Sequence, residues 1–167
     1  QRANEQTFRA GGFIFWLREF VWNDTSGPVP SYINTAIREI GDLVLQQARH
    51  VKIEFVFNLN PSLHEVFINP SQLMQVIFYL ISNSLDALVE NSPLIRTVWI
   101  EIQNQRGGTI SIVVADASPG NFQSEEDRVF DCFFTTEEDG LGMGLPTCRT
   151  IIENASGDIG VTQVSAA

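Results

Sequence analysis

The stretch Gly140-Leu141-Gly142-Met143-Gly144-Leu145 places three glycines within five residues. Glycine has no Cβ, so a backbone of this composition can approach a ligand closely. The segment that follows predicts a helix over residues 144–154, and the first N–H groups of a helix are donors suited to phosphate. A glycine cluster alone is a weak signal, because loops and helix caps without a ligand also contain it.

Three further motifs precede this stretch in a fixed order. Residues 83–87 read Asn-Ser-Leu-Asp-Ala, residues 116–120 read Asp-Ala-Ser-Pro-Gly and residues 130–136 read Phe-Asp-Cys-Phe-Phe-Thr-Thr. With the glycine stretch they resemble, in this order, the N box, first glycine box, F box and second glycine box of the ATP-binding domain of sensor histidine kinases. That domain is part of the wider Bergerat-fold (GHKL) superfamily of ATPases and kinases. The resemblance covers roughly residues 60–157 and is strongest to the nitrogen-regulation and oxygen-sensing branch.

A polar stripe on the helix predicted over residues 71–90 is a candidate metal site. Helical spacing puts Tyr79, Asn83, Asp86 and Glu90 on one face. Short oxygen-bearing side chains suit a hydrated Mg²⁺ that also bridges to phosphates. The resemblance makes Asn83 the metal-ligating residue and Asp86 part of the site. The alternative is an ordinary solvated helix face, which we favour for Glu90.

The other motifs surround the nucleotide, according to the same resemblance. Asp116 ends a predicted strand and would accept a hydrogen bond from the adenine amino group; the alternative is a strand-end aspartate that begins a turn. The phenylalanines of residues 133–134 belong to the hinge of an ATP lid, or else simply anchor a loop. The remaining predicted site residues are Gly120, Phe133, Thr135, Thr136, Gly140, Gly142, Met143, Gly144 and Leu145. The three glycines would donate backbone hydrogen bonds to the triphosphate.

The function that the resemblance implies is transfer of the ATP γ-phosphoryl group, with Mg²⁺, to a histidine in two-component signalling. The acceptor lies on a dimerisation domain outside this chain, because neither His50 nor His64 has the sequence context of a phosphoacceptor. We predict that both are surface residues. A response regulator is the implied downstream partner. Residues 1–22 resemble, more weakly, the tail of a dimerisation helix, and their apolar side chains predict a homodimer.

Three departures from the family pattern keep other functions open. Position 79 is Tyr, where histidine kinases carry the first N-box Asn and Bergerat-fold ATPases carry a catalytic Glu. Position 118 is Ser instead of the usual Gly, and residues 137–139 are Glu-Glu-Asp. Serine at position 118 would be strained if that position required a positive φ. The departures favour a non-catalytic, kinase-like signalling module as the alternative, and they argue against an ATPase with a general base at position 79.

The periodicity along the chain predicts an α/β (α+β) two-layer sandwich. We expect helices over residues 31–49, 71–90 and 144–154, with Ser31 as the first N-cap, and strands over residues 51–57, 65–68, 98–102, 110–114 and 159–164. This order predicts a mixed, mostly antiparallel sheet with helices on one face. The domain organisation follows as a helix (1–22), a linker (23–30) and an ATP-binding domain (31–167), whose lid spans about residues 117–141.

Composition excludes several other functions. The 167 residues carry a net charge of −10, which argues against nucleic acid and against contact with an anionic membrane. The longest apolar run is too short for a bilayer, and the two cysteines fit a reducing cytoplasmic compartment, although a longer parent protein could be membrane-anchored. Lys52 is the chain's single lysine, so a lysine in the phosphate site is not expected.

Overall fold

The structure, a computed structural model, describes residues 27–62, 65–118, 128–135 and 142–162. The helix and self-association predicted for residues 1–22 lie outside these ranges, as does His64. The elements are β1 (Val29–Ser31), α1 (Ile33–Val51), β2 (Glu54–Leu59), β3 (Val66–Ile68), α2 (Pro70–Asn91), β4 (Thr97–Asn104), β5 (Ile110–Asp116), a 3₁₀ helix (Arg128–Phe130) and α3 (Gly144–Asn154).

The strands form a mixed arrangement, as the sequence predicts. β2, β4 and β5 make one sheet in that order, with β2 parallel to β4 and β4 antiparallel to β5. Ile100 pairs with Phe57 on one side and with Val114 on the other. β1 and β3 form a separate antiparallel pair. The hairpin predicted around residues 107–108 is present between β4 and β5, closed by a hydrogen bond of 2.8 Å from the Gln105 N–H to the Thr109 carbonyl.

The core lies between one face of this sheet and the helices. Val98, Ile100 and Ile102 on β4 are buried, whereas Trp99 between them is exposed. Successive side chains of a strand point to opposite faces, so this alternation leaves the outer face in solvent. α2 contacts α1, α3, β4 and β5. The predicted two-layer sandwich with helices on one face is therefore confirmed.

α2 is the central helix of the domain, and its ends follow from the local sequence. The Asn69 side chain caps its N-terminus by accepting a hydrogen bond of 3.1 Å from the Gln72 N–H. Pro70 follows at the first helical position, where its missing N–H costs nothing. Ile77 and Ile81 are fully buried on the core face. Length and composition would also suit a membrane span, but this buried face is typical of a core helix.

Four details differ from the sequence predictions. Ser31 does not cap α1 but ends β1, where its hydroxyl donates to the carbonyls of Val29 and Ile68, each at 3.1 Å. The last two linker residues, 29–30, also belong to β1, because the pairing with distant β3 orders them. Val51 ends α1 instead of starting β2, and Lys52 follows with a φ of 55°. Residues 159–162 form no strand, although Ile159 packs against the core.

Candidate functional site

The glycine turn, defined as residues 142–144, is packed tightly against the F box. Gly142 has a φ of +61°, and a Cβ there would lie 2.6 Å from both the Phe133 carbonyl carbon and the Phe134 carbonyl oxygen. The Phe133 N–H also donates a hydrogen bond of 3.1 Å to the Gly142 carbonyl. Real Cβ atoms do not approach backbone so closely, so only glycine fits this position without a shift.

The other side of the glycine turn meets the N-box helix. A Cβ on Gly144 would lie 3.3 Å from Cδ1 of Tyr79 and 3.6 Å from its Cγ. Tyr79 lies one helical turn before Asn83 on α2. The glycine turn is thus held between α2 and the F box, and three of the four motifs meet at one place.

α3 begins at Gly144 with an uncapped N-terminus. Met143 occupies the N-cap position and makes no side-chain capping hydrogen bond. Serine, threonine, aspartate and asparagine are the usual caps, because their side-chain oxygens accept from the first free N–H groups. Where no such oxygen is supplied, an anionic ligand can accept these hydrogen bonds instead. The start of α3 therefore suits a phosphate group.

The F box is anchored through its first aromatic residue. Phe130 is buried, and the Arg149 guanidinium from α3 lies 4.1 Å from its ring centroid. The Arg128 guanidinium lies 4.7 Å from the half-buried ring of Phe134. Phe133 differs, because it has a φ of 67° and its side chain is 78% exposed. Phe130 thus holds this segment on the domain and Phe134 contacts Arg128 within the segment, while Phe133 points away from the core.

The N-box residues form a half-buried polar stripe on α2. Asn83 and Asp86 are both partly buried, whereas Glu90 is exposed, as expected for a solvated position. The described residues contain no group of three or more His, Cys, Asp or Glu side chains that could hold a metal ion. A fully protein-ligated metal does not fit this part of the chain. Mg²⁺ fits, because it keeps several waters and needs only one or two protein oxygens beside the phosphates.

Asp116 lies at the end of β5 and accepts hydrogen bonds from the first glycine box. Its Oδ1 accepts from the Ser118 N–H at 2.9 Å and also from the Ser118 hydroxyl. The sequence left two roles open for Asp116, namely an acceptor for adenine and an aspartate that begins a turn. A partly buried carboxylate at this position is compatible with both. Ser118 is not among the described residues with positive φ, so the strain considered for serine at this position does not arise.

Two weakly acidic groups, the Tyr79 phenol and the Cys148 thiol, lie on the two helices next to the glycine turn. Cys148 on α3 is fully buried, and burial raises the pKa of its thiol to about 12. Burial is also the main cause that raises the pKa of Tyr79; a hydrogen bond from Gln75 opposes the rise, and Cys148 adds to it. Both groups are therefore neutral at physiological pH, so neither acts as a general base or as a reactive thiolate.

The remaining predicted site residues divide between described and undescribed positions. Thr135 and Met143 are exposed and Leu145 is half-buried. Gly120, Thr136 and Gly140 lie outside the described residues. The sequence motifs predicted neither the contact of Tyr79 with Gly144 nor the hydrogen bonds of Ser118 to Asp116. Both involve departures from the family pattern, which is the signal that could have identified them.

Comparison with known proteins gives consistent matches. The profile of the family described as histidine kinase-, DNA gyrase B- and HSP90-like ATPase matches residues 68–166. Sensor protein FixL of Bradyrhizobium diazoefficiens is 32% identical over 156 residues, which cover 93% of this chain and 30% of FixL. Sensor histidine kinase ZraS of Escherichia coli K12 is 30% identical over 129 residues, or 77% of this chain and 27% of ZraS. The chain therefore spans less than a third of these relatives.

Solved structures show the same fold. The nucleotide-free catalytic domain of the histidine kinase ThkA superimposes with a TM-score of 0.67 at 26% identity, covering 78% of this chain and 82% of that domain. Full-length ShkA in complex with AMPPNP superimposes with a TM-score of 0.71, covering 90% of this chain and 31% of ShkA. At 21% identity, the likeness to ShkA concerns the fold alone.

Proposed function

The chain belongs to the family of histidine kinase-, DNA gyrase B- and HSP90-like ATPases, and from this we propose that it binds ATP with Mg²⁺ and presents the γ-phosphoryl group to a histidine on a separate dimerisation domain. Its relatives include sensor histidine kinases, and its fold is that of their catalytic domains. It is accordingly the ATP-binding catalytic domain of a two-component signalling kinase. Transfer of this kind depends mainly on positioning and on neutralising the phosphate charge.

The observation that carries the proposal is the placement of the glycine turn. Gly142 packs on the F-box backbone and Gly144 packs on Tyr79 of the N-box helix. These contacts bring the uncapped start of α3 next to the helix that carries Asn83. A phosphate chain at this point would accept hydrogen bonds from the N–H groups of the glycine turn, with Asn83 and Asp86 on the facing helix.

The residues present fit a bound Mg²⁺–nucleotide. When bound, Mg²⁺ would neutralise the charge that develops on the phosphates. Asn83 would be its protein ligand and Asp86 would hold a coordinated water, because both offer oxygen atoms from one face of α2. Asp116 would orient the adenine. Thr135 and the exposed Phe133 would lie on the lid side of the nucleotide.

The first test replaces Asp116 by asparagine. The amide keeps one acceptor oxygen, but Ser118 donates to the oxygen at this position, so the N–H₂ donor would face adenine and ADP binding should weaken by roughly 1–3 kcal/mol. Calorimetric titration of ADP with Mg²⁺ measures this directly. Asp42→Asn removes the same charge from an exposed position on α1 and is the matched control. Equal affinities for wild type and Asp116→Asn would remove Asp116 from the site, and a wild type that binds no nucleotide would refute the proposed function.

A non-catalytic, kinase-like module is the second candidate, and Tyr79 favours it. Tyr79 occupies the position where histidine kinases carry an N-box Asn, and its phenol remains protonated at neutral pH. Such a module would act through its partners and not through phosphoryl transfer. The two candidates differ in one measurement: only the kinase transfers radiolabelled phosphate from ATP to a supplied dimerisation domain.

The partners outside this chain follow from the same proposal. We infer a dimerisation domain that carries the phosphoacceptor histidine and a response regulator that receives the phosphate. The exposed Cys132 and the buried Cys148 are both free thiols, which supports a reducing, cytoplasmic location for this domain.

Residues 1–22 are expected to mediate self-association. They include Phe8, Phe13, Phe15, Trp16, Phe20 and Trp22. So many aromatic side chains in one short segment favour an interface over a free surface. Analytical ultracentrifugation of the whole chain should show a concentration-dependent dimer, and deletion of residues 1–22 should leave a monomer. A whole chain that stays monomeric at high micromolar concentration would contradict this prediction.

A further inference from the structure

Tyr79 lies at the contact between the N-box helix and the glycine turn. Its ring atoms Cδ1, Cγ and Cε1 lie 3.3, 3.6 and 3.8 Å from the place that a Cβ on Gly144 would occupy. Gly144 is the first residue of α3, so the ring touches the start of that helix. The first of these distances is shorter than most contacts of a real Cβ, and a smaller side chain at position 79 would leave the space beside Gly144 empty.

The ring is itself fixed by its neighbours. The Gln75 side chain, one turn earlier on α2, hydrogen-bonds to the phenol. The Phe78 ring lies 6.2 Å away with an interplanar angle of 59°, within the range of tilted aromatic pairs. A tyrosine side chain also has only two torsions, so little freedom remains once these contacts form. Tyr79 therefore presents a rigid surface to Gly144.

The glycine turn is fixed from the opposite side by the F box. Gly142 lies directly against the backbone of residues 133–134, and its carbonyl accepts the Phe133 N–H at 3.1 Å. Three layers follow in space, namely the Tyr79 ring, the glycine turn and the F-box backbone. The F box contributes only backbone atoms to this contact, so its size does not depend on the residue type. On the other side the contact is made by the side chain at position 79, whose size a substitution does change.

We propose that Tyr79 is a positioning residue for the phosphate-binding backbone and sets the separation between α2 and the first N–H groups of α3. The inference rests on the proposed function, because it concerns the phosphate chain of the nucleotide. Tyr79 acts through Gly144, whereas the adenine belongs with Asp116 at the end of β5. Removal of the ring should therefore weaken the binding of ligands that carry phosphates and leave the binding of adenosine unchanged.

The first experiment compares ADP with adenosine. In Tyr79→Ala the affinity for ADP should fall about tenfold, while that for adenosine should change by less than about twofold. Tyr79→Phe keeps the ring and should restore ADP binding to within about twofold of wild type. Tyr32→Ala removes the chain's other tyrosine, which is exposed between β1 and α1, and is the matched control. Equal losses for ADP and adenosine, or no rescue by phenylalanine, would overturn the inference.

A second measurement keeps the Tyr79 side chain in place, so its outcome does not depend on how a truncated variant folds. In Tyr32→Phe, Tyr79 is the only tyrosine, so incorporation of 3-fluorotyrosine gives one ¹⁹F resonance from this ring. Saturating ADP should shift that resonance, and saturating adenosine should shift it much less. An ADP-bound protein with an unshifted resonance would overturn the inference and leave the proposed function intact. A wild type that binds neither ligand would overturn both.

A double-variant cycle tests the contact itself. Gly144→Ala adds a methyl group 3.3 Å from the ring and should weaken ADP binding about tenfold. In a Tyr79→Ala background the methyl group has room, so the same change should cost much less. Strictly additive losses would show that Tyr79 does not act through Gly144 and would overturn the inference.

Discussion

Replacing Gly142 by alanine is expected to lower the affinity for ADP by about a hundredfold, because a displaced glycine turn would lose hydrogen bonds to the charged phosphates, each worth about 1.5–3 kcal/mol. The new methyl group would lie 2.6 Å from the Phe133 carbonyl carbon, and neither this atom nor the Phe134 backbone can rotate away as a side chain would. The glycine turn must therefore move off the F box. Titration with ADP and Mg²⁺ measures the loss.

Gly108→Ala is the control that separates this clash from backbone strain. Gly108, in the hairpin between β4 and β5, has a φ of +81°, but a Cβ there would meet nothing within 4 Å. Both substitutions carry the cost of an alanine at positive φ, which is about 1–2 kcal/mol. Only Gly142→Ala adds the collision. If both variants lost ADP affinity equally, the packing of Gly142 on the F box would not matter for binding.

The parts of the fold that sequence predicts well are those with local causes. α2 is the clearest case, since its apolar periodicity and the Asn69-Pro70 start are both visible in the sequence. The hairpin at Gly107-Gly108 is another, because both glycines adopt the positive φ that the turn requires. Each of these elements is determined by residues close in the chain, so its prediction needs no tertiary contact.

The errors arise where distant pairing decides the structure. β1 contains Pro30, a residue that local rules place in a linker, yet it pairs with Phe67 of β3. That pairing also draws the Ser31 hydroxyl to the Ile68 carbonyl and away from the start of α1. The prediction that Ser31 caps α1 was therefore wrong, because a hydrogen bond to a residue 37 positions away outweighed the local capping signal.

The candidate site combines both kinds of information. The four motifs and the family resemblance identified the residues of the site. They did not predict that Tyr79 would pack on Gly144 or that Ser118 would donate hydrogen bonds to Asp116. Both contacts use residues that depart from the family pattern. From the sequence alone, each departure means only that the family's usual residue is absent. In the fold, Tyr79 supplies a packed ring and Ser118 supplies two hydrogen-bond donors.

Cys148 is expected to make the domain lose stability at alkaline pH. Burial raises the pKa of its thiol from 9.0 to about 12. Because the folded pKa is the higher one, the unfolded chain loses its proton first as the pH rises. The stabilisation is complete below pH 9.0 and disappears as the pH approaches about 12. The loss should be about 1.4 kcal/mol per pH unit, or about 4 kcal/mol in total.

The difference between wild type and Cys148→Ala isolates this effect from other groups that titrate in the same range. Urea denaturation at several pH values between 7 and about 11 gives the free energy of unfolding of each protein. The advantage of the wild type over the variant should be constant up to about pH 8 and then shrink with the slope expected for one proton. Cys132→Ala, at the exposed thiol, is the matched control and should follow the wild type. A constant difference across the whole range would mean that the Cys148 thiolate forms as readily in the folded domain as in the unfolded chain, which would contradict its burial between α3 and the Val76 carbonyl of α2.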